Sequence, residues 1–516
     1  MSLESVLNEF RSFSTSEREK GSLFEKFIAK YLKTDPQYSQ LENVWLWSDW
    51  PYAWGQDDGI DLIAQERESG EYWAIQCKFY GPDERIEKKE IDSFFTASGR
   101  KFSTPEGQRQ FSQRLIVSST DHWSSLAEAS LADQTIPTFR LRLKDLVDSP
   151  VDWDAYSLRK PETMVLRTRK ALRDHQKDAV TQILDKFKDV DRGKLVMACG
   201  TGKTFTSLRA MEQMLPEPGV ILFLAPSISL VAQTLREWTA DAESPFHAFV
   251  ICSDSKVGKD DEDIRSFDLA YPSTTDAKQI FAKYRQLPRA ERTIVIFSTY
   301  QSIDVVTEIQ DLGFPQFDLV VCDEAHRTTG LTRENELDSH FVKVHVDTYV
   351  NAKKRLYMTA TPRIYGEATK KKAGEKSAVL FSMDDESIYG PEFYNLPFGQ
   401  AVERDLLSDY KVVLVAVDET EMASLANEAN AALSLTEKQA IDTDFAIKII
   451  GSWKGLSKSS LFLLGEDGSQ EQVLDEQPMR RAIAFSNSIK DSKFATEAFT
   501  KIVDLYSQKT GWFGLW

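Results

Sequence analysis

Residues 194–204 read KLVMACGTGKT and decide the fold of the larger part of the chain. The apolar stretch Lys194 to Ala198 predicts a buried strand, and Phe205 to Met214 predicts a helix. A glycine-rich loop between a strand and a helix presents backbone N–H groups to phosphate oxygens, and its glycines let the backbone approach closely. We therefore predict a nucleotide-phosphate loop formed by Gly200, Thr201, Gly202, Lys203 and Thr204.

Two side chains of this loop carry the expected chemistry. Lys203 would neutralise the terminal phosphates, and the hydroxyl of Thr204 would hold Mg²⁺. The usual GxxxxGK[ST] pattern starts with glycine, whereas Met197 occupies that position here. The position of the loop between strand and helix still predicts binding of a nucleoside triphosphate.

A pair of acids follows the apolar run Leu319 to Cys322, in the sequence DEAH at 323–326. Because parallel strands end at one edge of a sheet, where ligands bind, these carboxylates are expected beside the phosphate loop. Asp323 would anchor Mg²⁺ through water, and Glu324 would orient or deprotonate the attacking water.

Further segments are placed to complete a nucleotide site. The strand Arg355 to Thr359 runs into TATP, and the hydroxyls of Thr359 and Thr361 are expected to relay the nucleotide state to a nucleic acid. In LRDHQ, Arg173 and Gln176 are placed to read adenine.

This ordered set resembles the motor core of superfamily 2 helicases and translocases of the DEAH-box type, over roughly residues 165–490. The resemblance implies ATP and Mg²⁺ as cofactors and includes His326 in the nucleotide site. It also implies that three residues after strand ends contact the DNA backbone, namely Pro226, Ser227 and Thr299.

The alternation of short strands and helices over this region predicts a doubly wound parallel sheet. We expect a first RecA-like ATPase lobe at 166–390 and a partial second RecA-like lobe at 391–516. The segment FGQAVERDLLSDYKVVLV at 398–415 resembles restriction-enzyme motor subunits at the passage into the second lobe. Strands are predicted at Lys411 to Val417 and Ala482 to Ser486, with a helical stretch at Glu419 to Thr443.

A second group of polar residues lies in the N-terminal part. The strands Asp61 to Ala64 and Tyr72 to Phe79 predict a hairpin, in which Gln76 and Lys78 share one face. The hairpin brings Asp61 beside them. Asp61 would bind Mg²⁺, Gln76 would add a neutral oxygen ligand, and Lys78 would position water or stabilise developing charge.

The phrase DDGIDLIAQ…AIQCKFY resembles the Mrr-like branch of PD-(D/E)xK nucleases, over about residues 15–150. Glutamine replaces the second acid in this branch. Glu25, on a helix predicted at Gly21 to Leu32, would add a second carboxylate. We expect a nuclease domain at 1–150 and a proline-containing linker at 151–165.

Composition bounds these interpretations. The 516 residues include 63 basic and 80 acidic side chains, a net charge of −17, which argues against coating of nucleic acid by bulk charge. Four separated cysteines favour a reducing compartment. No apolar run approaches the ~18 residues that span a bilayer. The N-terminus lacks a signal-peptide pattern, so a cytoplasmic location is expected.

The resulting hypothesis is an Mrr-like restriction-endonuclease fold followed by a RecA-like parallel-sheet motor lobe and an incomplete second RecA-like lobe. The order of domains resembles the N-terminal portion of single-polypeptide ATP-dependent restriction–modification enzymes (type I SP). This resemblance implies double-stranded DNA as a partner, with methyltransferase and target-recognition parts elsewhere in the full-length protein.

Other interpretations of the sequence stay open. No QxxGRxxR-like segment follows residue 490, so ATP hydrolysis by this chain is expected to be weak. One alternative is a stand-alone helicase–nuclease of DNA repair or phage defence. Another is an ATP-gated DNA-binding module with an inactive nuclease fold.

Overall fold

The computed structural model describes the chain in two compact units, one ending at Leu407 and one beginning at Ser408. It describes all residues except 1, 14–15, 56–58, 133, 158–159, 161–162, 216–217, 255–263, 289–291, 334–338, 368, 370–377, 410–416, 434–440, 458–461, 465–469, 473–478, 480, 487–488 and 511–516.

The N-terminal part of the first unit contains a five-stranded sheet in the order β1-β2-β3-β6-β7. The pairs β1/β2 and β2/β3 are antiparallel, and the pairs β3/β6 and β6/β7 are parallel. The strands are β1 Leu41–Leu46, β2 Leu62–Glu66, β3 Tyr72–Lys78, β4 Phe102–Thr104, β5 Gly107–Arg109, β6 Phe111–Ser118 and β7 Thr138–Leu141, with β4 and β5 forming a separate hairpin.

Helices cover both faces of this sheet. They are α1 Leu3–Phe13, α2 Glu17–Thr34, α3 Asp92–Ser98, α4 Ser125–Ala129 and α5 Leu143–Val147. Helix α2 buries Phe24, Phe27 and Ile28 because these residues recur on one helical face. It ends before Pro36, since proline cannot continue a helix. Alternate residues of β3 face opposite layers, so Ile75 packs on the α2 side.

The segment 151–165 was predicted as a linker, but four of its described residues pack into this domain. Val151, Trp153, Tyr156 and Met164 are all buried in the same core as helix α2. The ring of Trp153 lies 5.7 Å from that of Phe27. The prediction was wrong because it weighed the prolines and overlooked these four spaced apolar residues.

The following part of the first unit contains a seven-stranded sheet in the order β10-β11-β9-β12-β14-β8-β16, and every pairing is parallel. The predicted α/β parallel-sheet fold is therefore confirmed. The strands are β8 Arg192–Met197, β9 Val220–Ala225, β10 His247–Ile251, β11 Ile294–Thr299, β12 Leu319–Cys322, β13 Gly330–Arg333, β14 Arg355–Thr359, β15 Ala378–Phe381 and β16 Glu392–Leu396, with β13 and β15 paired separately.

Helices flank this sheet, and apolar clusters fill both of its faces. They are α6 Asp174–Lys186, α7 Lys203–Met214, α8 Ile228–Asp241, α9 Ala277–Gln286, α10 Ile303–Asp311, α11 Glu386–Tyr389 and α12 Phe398–Glu403. Strand β16 lies at the edge beside β8, so residues 392–396 belong to the seven-stranded sheet.

The two sheets of the first unit meet at a junction of buried polar contacts. Arg140 Nε lies 2.5 Å from Asp268 Oδ1, and its Nη2 lies 3.0 Å from Glu128 Oε1. Tyr38 Oη donates to the backbone oxygen of Ala270 at 2.7 Å. Because both Arg140 and Asp268 are buried, the pair sets the relative orientation of the two domains.

The second unit contains helices α13 Glu419–Leu433, α14 Thr443–Ser457 and α15 Ile489–Thr510, and the short strand pair β17 Phe462–Leu464 with β18 Gln470–Gln472. Trp453 and Ile502 lie in the core between the helices. The predicted strand at Lys411 to Val417 falls almost entirely outside the described residues. The predicted helix over Glu419 to Thr443 ends at Leu433, before residues 434–440, which are not described.

The strand predicted at Ala482 to Ser486 is wrong for the described residues of the second unit. These residues form no strand, and Ile483 and Phe485 are 84% and 95% exposed. A short apolar run forms a stable strand only where a neighbouring strand pairs with it, and no described strand does so here.

Candidate functional site

The nuclease-type hairpin holds Asp61 beside Gln76. Leu62 pairs with Ile75 across the hairpin, so the next residues, Asp61 and Gln76, lie opposite each other. The backbone N–H of Cys77 donates to Asp61 Oδ2 at 2.6 Å. A short bond from a backbone donor fixes this carboxylate at the end of β3.

Gln76 is 2% exposed and only one end of its amide is bonded. Its Nε2 donates to the backbone oxygen of Gly59 at 3.1 Å, whereas its Oε1 has no partner among the described residues. Leaving a buried acceptor unpaired costs about 1–3 kcal/mol, so a role for the oxygen is expected. An amide oxygen beside a carboxylate fits Mg²⁺, which takes oxygen ligands.

Gly59 shapes the turn that carries Asp61. Its φ is +107°, a conformation that side chains rarely adopt. A Cβ at this position would lie 2.8 Å from Ser93 Oγ and 3.2 Å from the backbone nitrogen of Phe94. The glycine therefore allows the turn to pack against helix α3.

The thiol of Cys77 reports which charges surround the hairpin end. Burial raises its pKa, the carboxylates of Asp61 and Glu25 raise that pKa further, and Lys78 lowers it. All three predicted charged residues thus lie within electrostatic reach of one thiol. Glu25 approaches from helix α2, the layer opposite Gln76. Within the described ranges, no three His, Cys, Asp or Glu side chains form a metal-binding group.

The aromatic stretch after β1 supports the same domain. Trp47 and Trp50 are 7% and 2% exposed, and Trp47 contacts Trp54 edge-on at 4.8 Å. These rings pack in the layer that contains α3 and α4. They therefore stabilise the loop before Asp61.

The phosphate loop adopts the backbone geometry that its glycines allow. Gly200 and Gly202 have φ values of +82° and +89°. A Cβ on Gly202 would lie 2.3 Å from Gln176 Nε2. The bare backbone with exposed N–H groups at the start of α7 fits a nucleotide phosphate.

Gln176 contacts this loop directly. Its Oε1 accepts from the backbone N–H of Arg173 at 2.9 Å, and its Nε2 donates to the oxygens of Thr201 and Gly202 at 3.3 and 3.4 Å. His175 Nε2 also lies 3.0 Å from the oxygen of Thr201. Sequence reasoning missed His175, although it stands inside the LRDHQ motif.

Lys203 Nζ donates to the backbone oxygen of Met197 at 3.2 Å. Met197 is the residue that stands where the usual pattern has its first glycine. The lysine thus lies across the loop at the end of β8. Thr204 is the second residue of helix α7, and its backbone oxygen accepts from Trp238 Nε1 at 3.1 Å.

Asp323 and Glu324 end strand β12, two strands from the phosphate loop. Burial raises the pKa of Asp323 to about 6, and the charge of Glu324 contributes, whereas Lys203 lowers it. The structure therefore brings Asp323 and Lys203 together, as predicted for a metal–phosphate site. Glu324 has a φ of +46°, and such non-glycine conformations concentrate at functional sites.

His326 links the DEAH residues to the TATP segment. Its Nδ1 lies 3.1 Å from Thr359 Oγ1 and 3.3 Å from Glu324 Oε2. Thr361 N–H donates to Thr359 Oγ1 at 3.2 Å. Burial lowers the pKa of His326, against the opposing effect of Glu324. A contact therefore joins β12 and β14, consistent with the predicted relay.

The predicted DNA-contacting residues lie at the ends of β9 and β11. Ser227 Oγ accepts from the backbone N–H of Leu230 and caps helix α8. Thr299 is 4% exposed and its hydroxyl lies 3.2 Å from Ser302 Oγ. Gln301 donates to the backbone oxygen of Pro226 at 3.1 Å and ties the two loops together.

Comparison with known families identifies the two domains. Residues 33–163 match a restriction endonuclease family, Mrr_cat_2, and residues 169–364 match the family described as type III restriction enzyme, res subunit. The chain thus contains a restriction-endonuclease domain followed by a helicase-type ATPase domain. None of the curated proteins matches the chain.

Among solved structures, the chain is similar to the ATP-dependent type ISP restriction–modification enzyme LlaBIII bound to DNA. The identity is 37% over 98% of this chain and 31% of that chain, with a TM-score of 0.77. A nuclease-deletion mutant of the type ISP enzyme LlaGI with a DNA substrate mimic is 30% identical over 67% of this chain and 30% of that chain, with a TM-score of 0.37.

The predicted resemblance to type ISP enzymes is confirmed by the LlaBIII match. The chain spans about a third of the length of that relative, and the matched share contains both domains. Separately, no helix among the described residues is long and apolar enough to cross a membrane.

Proposed function

We propose that this chain cleaves double-stranded DNA in a Mg²⁺-dependent reaction at Asp61, Gln76 and Lys78, and uses ATP to move along DNA. The observation that carries the nuclease part is the buried Oε1 of Gln76, which has no hydrogen-bond partner among the described residues and lies beside the Asp61 carboxylate in a restriction-endonuclease domain. The match to an enzyme described as ATP-dependent and bound to DNA supports both cofactor and partner.

In the nuclease domain, Asp61 and Gln76 would hold the metal, and Glu25 would contribute from helix α2. Mg²⁺ held by these residues would supply positive charge that offsets the negative charge on the phosphate. The ammonium group of Lys78 would orient the attacking water or stabilise the negative charge that develops on the phosphate. Cys77 acts through its backbone N–H, which holds Asp61 in place.

In the ATPase domain, the loop 200–204 would bind the phosphates, with Thr204 and Asp323 holding Mg²⁺. Glu324 would orient or deprotonate the attacking water. Lys203 would leave the oxygen of Met197 and contact the terminal phosphates. Arg173 would contact adenine, and Gln176 would hold the phosphate loop in position. Thr359 and Thr361 would relay the state of the site through His326, and Pro226, Ser227 and Thr299 would contact the DNA backbone.

The test is plasmid cleavage in Mg²⁺, with and without ATP, by wild type, Lys78→Ala and Lys203→Ala. We expect Lys78→Ala to lose cleavage by about 10²–10³-fold, the effect of removing one group that stabilises developing charge. Lys203→Ala should abolish the ATP-dependent part of cleavage and leave binding of DNA. Lys88→Ala, an exposed lysine of the same domain, serves as the matched control.

The outcomes separate the alternatives. Unchanged cleavage by Lys78→Ala would contradict the nuclease assignment. Cleavage without any effect of ATP would assign the nuclease but not its coupling to the motor. Absence of cutting with retained ATP-dependent DNA binding would instead support a DNA-binding module with an inactive nuclease fold.

The full-length protein is proposed to carry methyltransferase and target-recognition parts, as the type ISP resemblance implies. Strong DNA-stimulated ATP hydrolysis by this chain would contradict the expectation that its ATP turnover is weak. That turnover is measured as phosphate release with and without linear duplex DNA.

A further inference from the structure

One face of strand β14 contacts the DEAH turn and the later segment 344–350 at successive positions. Arg355, Tyr357 and Thr359 share this face because alternate residues of a strand point the same way. At one end Thr359 meets His326. At the other end the buried guanidinium of Arg355 donates to the backbone oxygens of Val344 and Val350 at 2.9 and 2.6 Å.

His345 occupies the middle of this row of contacts. Its Nε2 lies 3.1 Å from the backbone oxygen of Thr328, and its Nδ1 lies 2.9 Å from Tyr357 Oη. A carbonyl oxygen only accepts, so Nε2 carries the proton and donates to Thr328. In the neutral ring Nδ1 then accepts from the hydroxyl of Tyr357.

Thr328 ends the turn Ala325–Thr328, which contains His326. Its backbone oxygen also accepts from Tyr389 Oη at 2.9 Å, and its hydroxyl donates to the oxygen of Ala325 at 2.7 Å. Thr328 is fully buried. The turn is therefore held from the interior of the domain, on the side away from His326.

The surroundings hold the ring of His345 in one orientation. The ring stacks on Phe381 at 5.0 Å and 16°, and meets Tyr389 edge-on at 4.8 Å. Burial lowers its pKa to about 3, and the positive charge of Arg355 contributes. The imidazole is therefore neutral at physiological pH, which preserves one donor and one acceptor.

We propose that His345 is a positioning residue for ATP hydrolysis, which fixes the DEAH turn against strand β14 so that Glu324 and His326 keep their places. The inference rests on the proposed ATPase function and deepens it. His345 acts through Thr328 and Tyr357, and it makes no contact with nucleotide.

The test compares His345→Phe, which keeps a ring without hydrogen bonds, with His345→Gln, which keeps one donor and one acceptor. The full chain in excess over ATP gives a single-turnover rate constant, and a fluorescent ATP analogue gives the affinity. We expect His345→Phe to lower the rate constant about tenfold, as for the loss of one positioning hydrogen bond, with unchanged affinity. His345→Gln should stay within about twofold of wild type.

Val306→Ala is the matched control for lost stability. Val306 lies in the same apolar cluster and has no polar role. It should lower the melting temperature and leave the rate constant unchanged. Equal rate constants for His345→Phe and wild type, or equal losses in His345→Phe and Val306→Ala, would overturn the positioning role. Wild type that hydrolyses no ATP would overturn the proposed motor function and this inference together, whereas plasmid cleavage would still report the nuclease.

Discussion

The nuclease hairpin and the phosphate loop each contain a buried glutamine, and the two glutamines are bonded differently. Gln176 uses both ends of its amide within the protein, on Arg173, Thr201 and Gly202. Gln76 bonds Gly59 through Nε2, and its Oε1 has no partner among the described residues. One glutamine completes the loop, and the other keeps an acceptor oxygen for a further ligand.

The difference shows that a motif residue can stabilise the backbone of a site or bind the ligand of that site. Replacing a fully bonded buried amide leaves several groups unpaired, whereas replacing a half-bonded one removes an existing deficit. Substitution of Gln176 should therefore mainly lower stability, whereas substitution of Gln76 should mainly lower nuclease activity.

The largest expected effect concerns the buried ion pair between the nuclease domain and the ATPase domain. Asp268→Ala removes the buried acidic partner of Arg140 and should lower the free energy of unfolding by about 3–5 kcal/mol, since the buried guanidinium is then left with the half-exposed Glu128 as its acidic partner. Urea unfolding followed by tryptophan fluorescence measures it. Asp185→Ala removes an exposed pair with Lys188 and should cost about 0–1 kcal/mol. Equal effects of the two substitutions would mean that the junction does not fix the domains.

The second prediction tests the glutamines themselves. Gln76→Leu should raise the Mg²⁺ concentration for half-maximal cleavage by about 10–100-fold, as for a lost group at a metal site, with little change in stability. Gln176→Leu should lower the free energy of unfolding by about 1–3 kcal/mol, because backbone groups of the phosphate loop lose their partner. Mg²⁺ titrations of plasmid cleavage and urea unfolding provide the two measurements.

The opposite pattern would reverse the comparison. If Gln76→Leu destabilised the chain and left the Mg²⁺ dependence unchanged, Gln76 would be the structural residue. If Gln176→Leu left stability unchanged, the bonds to Thr201 and Gly202 would carry little energy.

The smallest expected effect is a pH dependence of the free energy of unfolding that arises from His345 in the ATPase domain. His345 has a folded pKa of about 3, below the ordinary value of 6.5, and Arg355 and Arg192 face it along with neutral tyrosines. Its neutral form stabilises the fold above pH 6.5, and this stability is lost as the pH falls toward 3. Between pH 7.5 and pH 5, wild type should lose about 2 kcal/mol more than His345→Gln.

Unfolding midpoints at the two pH values check this prediction. Because glutamine does not titrate, an equal acid loss in wild type and His345→Gln would exclude His345 as its source. The position of the transition is compared between variants at each pH, so other titrating groups cancel.

Much of the candidate site followed from sequence because its residues stand directly after strands. The order of Lys203, Asp323 and Thr359 along a parallel sheet places them at one edge, which periodicity alone predicts. The hairpin likewise brought Asp61 to Gln76, as alternation and a short turn require. These relations depend on local geometry, and local geometry is encoded in neighbouring residues.

Other features depended on contacts between distant parts of the chain. The segment 151–165 contains Pro161 and follows Pro150, as a linker would, yet Trp153 packs on Phe27 because the α2 face is apolar there. The stretch 482–486 is apolar like a buried strand but forms no strand among the described residues. Whether these five residues form a strand depends on whether another strand lies beside them, and their own sequence does not determine this.

The sequence by itself determined the two domain types and their order through motifs that resemble known families. It determined the residues at the strand ends because strand period and glycine loops are local properties. Tertiary structure decided which glutamine has a spare oxygen, which aspartate holds Arg140, and how His345 spans Thr328 and Tyr357. These contacts join residues that are far apart in the chain, so they exist only once the two layers of each domain have packed.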